Sequence, residues 1–290
     1  MTAAADEQAQ TGLAGFRDVV DVQVFDESLL VAARIARAPS EGSASMTAVV
    51  VEDDEPVLAI AEDAGAPVET WDHAVAGPLE LGVAQPLERW TLALDTPRVK
   101  LGLELRALTA PADLAEPATA AVGRAAGVSR YTQLCRAQGS AEIGGRRRSV
   151  DAWALRTHRW GPFGQEPRTR FVTAATEDGA LLTLAAVTPG AAAHGEELVG
   201  GQSVRAEDED STPLPYETVR LSTVFGDDGV PRSAGAELFR PGDELPSRLA
   251  GVAAGGATVE VPGGRASLTL FRFRLDGVPS FGSYEIEAGG

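Results

Sequence analysis

Cysteine occurs once in the 290 residues, at Cys135, so an intrachain disulfide is impossible and a thiolate metal cluster cannot form. With no neighbour to acidify it, that thiol is expected to be a small buried hydrophobe rather than a nucleophile. Lysine is equally scarce: Lys100 is the only one, every other formal cation being arginine, a bias attributed to GC-rich coding. No apolar run reaches the about eighteen residues a membrane-spanning helix needs. The opening stretch MTAAADEQAQTG carries acids and no hydrophobic segment of the signal-peptide kind, so a cytoplasmic location is expected. Three scattered histidines, without clustered carboxylates, argue against zinc or iron. Glycine-rich phosphate loops between a strand and a helix are missing too, so no cofactor is expected. Positive charge is in deficit, 25 Lys and Arg against 42 Asp and Glu, for a net charge of -17. Such a surface repels phosphate backbones and anionic lipid, which disfavours nucleic-acid and membrane-surface partners. The oligomeric state leaves no mark.

What is present is a globular composition, 44% hydrophobic, cut into short strands. Residues 29–36, 44–51 and 57–61 are separated by Pro39-Ser40-Glu41-Gly42 and Asp53-Asp54-Glu55, the rhythm of an antiparallel meander. Residues 90–95 and 99–107 alternate apolar with polar across a turn containing Pro97, as a half-buried hairpin does. The alanine-rich stretch 114–128, interrupted by Pro117 and Gly127, fits either a short helix or a long loop. Further on, 171–175 and 180–187 flank Glu177-Asp178-Gly179, an apt tight turn, and strand signals continue to 283–287. The expected fold is all-β, two stacked antiparallel barrels or sandwiches, with a division into residues 1–162 and 163–290.

The segment from Arg130 to Gly161 concentrates the chemistry. Two long strand-like runs flank Gly144-Gly145, a pair suited to the positive φ angles of a hairpin turn, and the second run leads to His158 and Trp160. Two residues apart on a strand, these rings share a face. Acids that could protonate an alkene or enolise a ketone are Asp151, seven residues before His158, and Glu285 near the C-terminus. Trp153 and Trp160 could steady a developing cation or simply fill core. Arg156 and Arg159 could bind a substrate carboxylate or enolate, though pairing with surface acids is the favoured expectation. His73 is expected to face solvent and His194 to lie in a loop. The candidate set is therefore His158, Asp151 and Glu285 for catalysis, with Trp160, Trp153, Arg156 and Tyr131 contacting substrate.

The order of Trp90-Thr91-Leu92, Tyr131-Thr132-Gln133, Gly139, Gly144-Gly145 and Arg156-Thr157-His158-Arg159-Trp160-Gly161 resembles the AttH-like, carotenoid-hydratase-like group of lipocalin-like proteins. Phe171 to Leu182, then Asp276-Gly277, Gly282 and Glu285, extend the likeness over most of the chain. The resemblance implies two lipocalin-like barrels side by side and an apolar cavity for a lipophilic terpenoid- or polyketide-type molecule. It also implies a cofactor-independent hydratase, isomerase or cyclase, Diels-Alder-type cyclases sharing the architecture; a noncatalytic binding protein is the alternative. Two departures stand out. Thr157 replaces the family's acid before the histidine, so no carboxylate orients or charges His158 through that position and a neutral ring is expected. Where hydratases carry a Tyr-x-Asp pair, residues 181–187 are apolar apart from Thr183, which favours cyclisation over hydration.

Overall fold

A computed structural model describes residues 4–113, 119–126, 129–162, 168–188, 197–206, 213–261 and 264–289. Their strands form two antiparallel sheets. The first holds β1 (Phe16–Phe25), β2 (Leu29–Ala38), β3 (Ser43–Glu52), β4 (Glu55–Asp63), β5 (Ala74–Ala76), β6 (Leu79–Gln85), β7 (Arg89–Asp95), β8 (Val99–Ala107), β9 (Ala112–Asp113), β10 (Ser129–Ile143) and β11 (Arg146–Pro162). Its spatial order is β4-β3-β2-β1-β11-β10-β8-β7-β6-β5, with β9 beside β10. The sheet curls until β5 and β6 meet β3 and β2, which makes a nearly closed barrel. The second sheet holds β12 (Arg168–Thr176), β13 (Ala180–Thr188), β14 (Leu198–Arg205), β15 (Leu214–Pro215), β16 (Thr218–Phe225), β17 (Pro231–Phe239), β18 (Ser247–Val261), β19 (Gly264–Leu275) and β20 (Val278–Gly289). It runs in the order β15-β14-β13-β12-β20-β19-β18-β17-β16 and curls into a half-barrel. One α-helix, α1 (Ala120–Ala126), falls inside the ambiguous alanine-rich stretch, whose residues 114–118 and 127–128 lie outside the described residues.

The spine of the first sheet is the β10–β11 hairpin. Gly144 and Gly145 have φ of 57° and 81°, the left-handed pair that a two-residue turn between twisted strands requires, and register runs from Ile143↔Arg146 to Ser129↔Trp160. Strand β11 is unbroken to Pro162 and lies between β10 and β1, so alternate residues serve two environments. Ala152 and Ala154 point into the barrel core with Val20, Val22, Val24 and Cys135. Leu155, with Phe25, Leu30 and Leu134, packs outward against Leu268 and Leu270 of the half-barrel. Strand β1 is buried on both sides, which explains why Phe-Arg-Asp-Val-Val-Asp-Val-Gln-Val-Phe shows no simple alternation and escapes a period-two search.

The two sheets are locked as well as packed. Outward Asp21 and Glu285 both pair with Arg34, and Gln23 Nε2 donates to Glu285 Oε2 at 3.3 Å. At the other end of the contact, Arg272 grips Asp54 through two bonds of 2.7 and 3.0 Å. There a Cβ on Gly255 would sit 2.3 Å from the Asp54 carbonyl, so only glycine lets the β3–β4 turn press onto β18.

Candidate functional site

Register fixes the site. Tyr131 lies opposite His158 and Gln133 opposite Arg156 across β10–β11, while Val20 and Val22 lie opposite the same two residues across β1. Asp18, Tyr131, Gln133, Arg156, His158 and Trp160 therefore share the inner face of the first barrel. Asp18 and His158 are both fully buried, and their side chains meet at 2.6 Å, His158 Nε2 to Asp18 Oδ1. The other carboxylate oxygen accepts from Arg37 Nη1 (2.6 Å), Trp71 Nε1 (3.1 Å) and the Gln10 backbone N–H (2.8 Å). With Nε2 committed to Asp18, Nδ1 has no partner among the described residues. Three aromatic rings enclose the imidazole: Trp160 at 4.8 Å, Tyr131 at 5.7 Å and Trp71 at 5.9 Å between centroids.

A second polar group adjoins the first. Arg156, 1% exposed, pairs through Nη1 with Glu7 and donates from the same nitrogen to the Tyr131 hydroxyl at 2.9 Å. Tyr131 in turn donates to Glu7, and its phenol is held well above the ordinary range by burial, which outweighs the opposing Arg156 charge; Glu7 reinforces the rise. Trp90 lies under the guanidinium, 4.3 Å from its centre. Arg156 Nε and Nη2 and Gln133 Oε1 have no partner among the described residues, although Gln133 Nε2 donates to the carbonyls of Leu87 and Thr109. Beside Arg156 lies a pocket of about 10 Å³, walled by Val20, Val22, Leu81, Trp71 and Trp90, with room for roughly one water.

The candidates from the sequence divide accordingly. His158, Trp160, Tyr131 and Arg156 come together. Asp151 lies on the opposite face of β11, about 23 Å along the strand from His158. Its carboxylate is 58% exposed and is held below the usual range by the hydrogen bond from Arg136. Trp153 shares that outer face, where Arg136 covers its ring at 5.1 Å. Glu285, though buried, belongs to the layer between the sheets with Arg34 and Gln23. The surface pairing expected of Arg156 and Arg159 is corrected: parity sends Arg156 into the barrel, and Arg159 is buried between the sheets beside Asp21. Thr157 faces that layer too, bonded to Thr132 at 3.1 Å, so an acid there would not have reached the His158 ring. The carboxylate comes instead from Asp18 on β1, a position the motif itself does not include.

Asp18, Arg37, Trp71 and Glu7 were not among the sequence candidates. Asp18 had one usable signal, an acid on the β-branched run that a strand assignment would have turned inward; Glu7 had none. Cys135 is fully buried, its thiol pushed up to about 12 by desolvation. His73 is exposed beside Glu80, and His194 lies outside the described residues. Among the described residues no three His, Cys, Asp or Glu side chains converge to hold a metal, and no helix is long and apolar enough to cross a membrane.

Solved structures with this architecture span almost the whole chain. CghA in complex with Sch210972 is 16% identical, with a TM-score of 0.64 over 94% of this chain and 88% of its own. Kievitone hydratase from Nectria haematococca is 10% identical, with a TM-score of 0.66 over 94% of this chain and 89% of its own. An AttH-type protein from Nitrosomonas europaea, also 10% identical, has a TM-score of 0.66 over 95% and 92%. The double lipocalin-like barrel inferred from the order of motifs is thus the fold. Comparison with curated proteins finds no match. The model of a family described as a domain of unknown function, DUF7064, matches residues 18–289, from the aspartate that holds His158 to the end of β20, and the chain belongs to that family.

Proposed function

We propose that this chain is a cofactor-independent enzyme acting on a lipophilic terpenoid- or polyketide-like molecule, a cyclase, isomerase or hydro-lyase in which His158 transfers the proton. One observation carries this reading. His158 Nδ1, Arg156 Nε and Nη2, and Gln133 Oε1 lack partners on adjacent inward positions of an apolar barrel. Each such group costs about 1–3 kcal/mol when left unsatisfied, a cost that a polar substrate group would remove. In this reading Nε2 donates to Asp18, which fixes the ring and leaves Nδ1 as the accepting atom. In that role Nδ1 takes a proton from carbon beside a carbonyl whose oxygen lies against Arg156, and returns it at another carbon. Trp71, Trp160 and Tyr131 would steady positive charge by about 0.5–2 kcal/mol each. That kievitone hydratase shares the fold, and that CghA holds Sch210972, supports small-molecule chemistry in such barrels.

A noncatalytic binding protein is the second reading, favoured by the tight interior, whose pocket beside Arg156 measures only about 10 Å³. The test uses His158→Gln, whose amide still donates to Asp18. Both proteins are incubated with a lipid-soluble extract of the source cells, and the extract is compared by chromatography before and after. The enzyme reading expects a compound converted by the wild type and at least about 100-fold more slowly by the variant, at nearly unchanged melting temperature. A compound captured and returned intact by both would establish the binding protein.

A further inference from the structure

The barrel builds a carboxylate site and the chain fills it with its own side chain. Glu7 arrives on a 3-10 turn, Ala4–Glu7, ahead of β1, and its side chain is 2% exposed although Ala4, Ala5 and residues 11–14 are exposed. Donors converge on its carboxylate from the barrel alone: Arg156 Nη1 and the Tyr131 hydroxyl on one oxygen, Trp90 Nε1 at 2.8 Å and the Leu87 N–H at 3.3 Å on the other. The fit is not used up. Arg156 keeps Nε and Nη2 without partners among the described residues, at 1% exposure, so the guanidinium is one acceptor group short of what its fork can bind.

We propose that Arg156, Tyr131 and Trp90 form the binding site for the carboxylate of a lipophilic monocarboxylic acid, and that Glu7 occupies it until such a ligand arrives. The proposal rests on the functional reading above in placing the ligand in this barrel, but it concerns binding and needs no turnover. The incoming carboxylate replaces that of Glu7 on the same donors. Its alkyl tail takes the direction of Val20, Val22, Leu81 and Trp71, and because the pocket they line holds only about 10 Å³, these side chains must part as Glu7 leaves. Because Glu7 is tethered, it competes at the effective concentration of an intramolecular group, so ligand affinity is reduced by the fraction of time Glu7 is seated. An alcohol of the same length offers the tail without the charge and cannot exchange for an ion pair.

Decanoate and decanol are the probes, titrated calorimetrically into the full chain and into Glu7→Gln, which keeps the side-chain shape but not its charge. Decanoate is expected to bind Glu7→Gln at least about tenfold more tightly than the wild type, with decanol unchanged between them. In the wild type, decanoate but not decanol should speed hydrogen exchange in residues 4–12, read by mass spectrometry as Glu7 leaves its seat. This second arm decides the matter if Glu7→Gln does not fold. Equal affinity for acid and alcohol, no decanoate binding, or unchanged exchange in residues 4–12 at saturation would overturn the proposal. The two readings fail separately: turnover never tests this site, and decanoate binding is read without it.

Discussion

Each barrel contains an arginine bonded to both a glutamate and a tyrosine, and the two trios differ in completeness. In the half-barrel, Arg170 uses all three nitrogens: Nε and Nη2 grip Glu197, and Nη1 donates to Thr223 at 2.9 Å and Tyr284 at 3.0 Å. Glu197 is 29% exposed, so the group sits at a rim that water can reach. In the first barrel, Arg156 uses Nη1 alone, its glutamate is buried, and that glutamate is borrowed from a segment outside the sheet. A saturated trio at a rim is a strut. An unsaturated one, sealed beside a histidine with a bare nitrogen, has binding capacity to spare, and this contrast is why the proposed function is placed in the first barrel.

The contrast can be broken by mutation. Arg156→Met leaves the Glu7 carboxylate buried without its counter-ion, and unfolding in urea should show a loss of about 3–5 kcal/mol. Arg170→Met, whose Glu197 can turn to solvent while Thr223 and Tyr284 remain bonded at 2.7 Å, should cost only about 1–2 kcal/mol. Equal losses would erase the distinction. Asp18→Asn should cost about 2–3 kcal/mol, because Arg37 and His158 lose a charged acceptor in the core, and nitrogen NMR of the imidazole should show its tautomer no longer fixed. Cys135 tests how dry the first barrel is. Its thiol, pushed up to about 12 in the folded chain, should resist thiol reagents at pH 8 until denaturant is added. The sign follows: a folded value above the unfolded one of about 8.5 gives stability that is complete below pH 8.5 and lost as pH climbs toward 12, so Cys135→Ala should flatten that alkaline decline. The smallest effect belongs to the outer face of β11, where Arg136→Ala or Asp151→Asn should change stability by no more than about 0.5 kcal/mol.

The parts of this architecture visible in the sequence are those set by neighbours along the chain. The Gly144-Gly145 turn, the β7–β8 hairpin and the Asp178-Gly179 turn declare themselves because turn chemistry and alternation act within a dozen residues. His158, Trp160, Tyr131 and Arg156 are readable as one group because they lie on the two arms of one such hairpin. What failed to show depends on distant pairing. Asp18 is 140 positions from the histidine it orients, on a strand whose two buried faces hide its period. Glu7 sits in an acid- and alanine-rich stretch that composition marks as solvated, and only Trp90, Tyr131 and Arg156 make its burial tolerable. Arg156 and Arg159 look alike in sequence; parity tells which turns toward His158, but only the second sheet explains why the other is buried as well.

The double burial of β1 has a consequence for synthesis on the ribosome. One of its edges needs β11, to which Phe16 pairs at Pro162, and its outer face needs β20, where Gln23 meets Glu285 across 262 positions. The first of the described strands to leave the exit tunnel is thus among the last to find its surroundings, and until then its valines and Phe25 are open to aggregation. Contacts this remote in sequence make folding slow and post-translational. A release from chaperone that outlasts translation, and inclusion bodies rich in full-length chain when expression is fast, are the expected costs of placing the partner of His158 140 positions ahead of it.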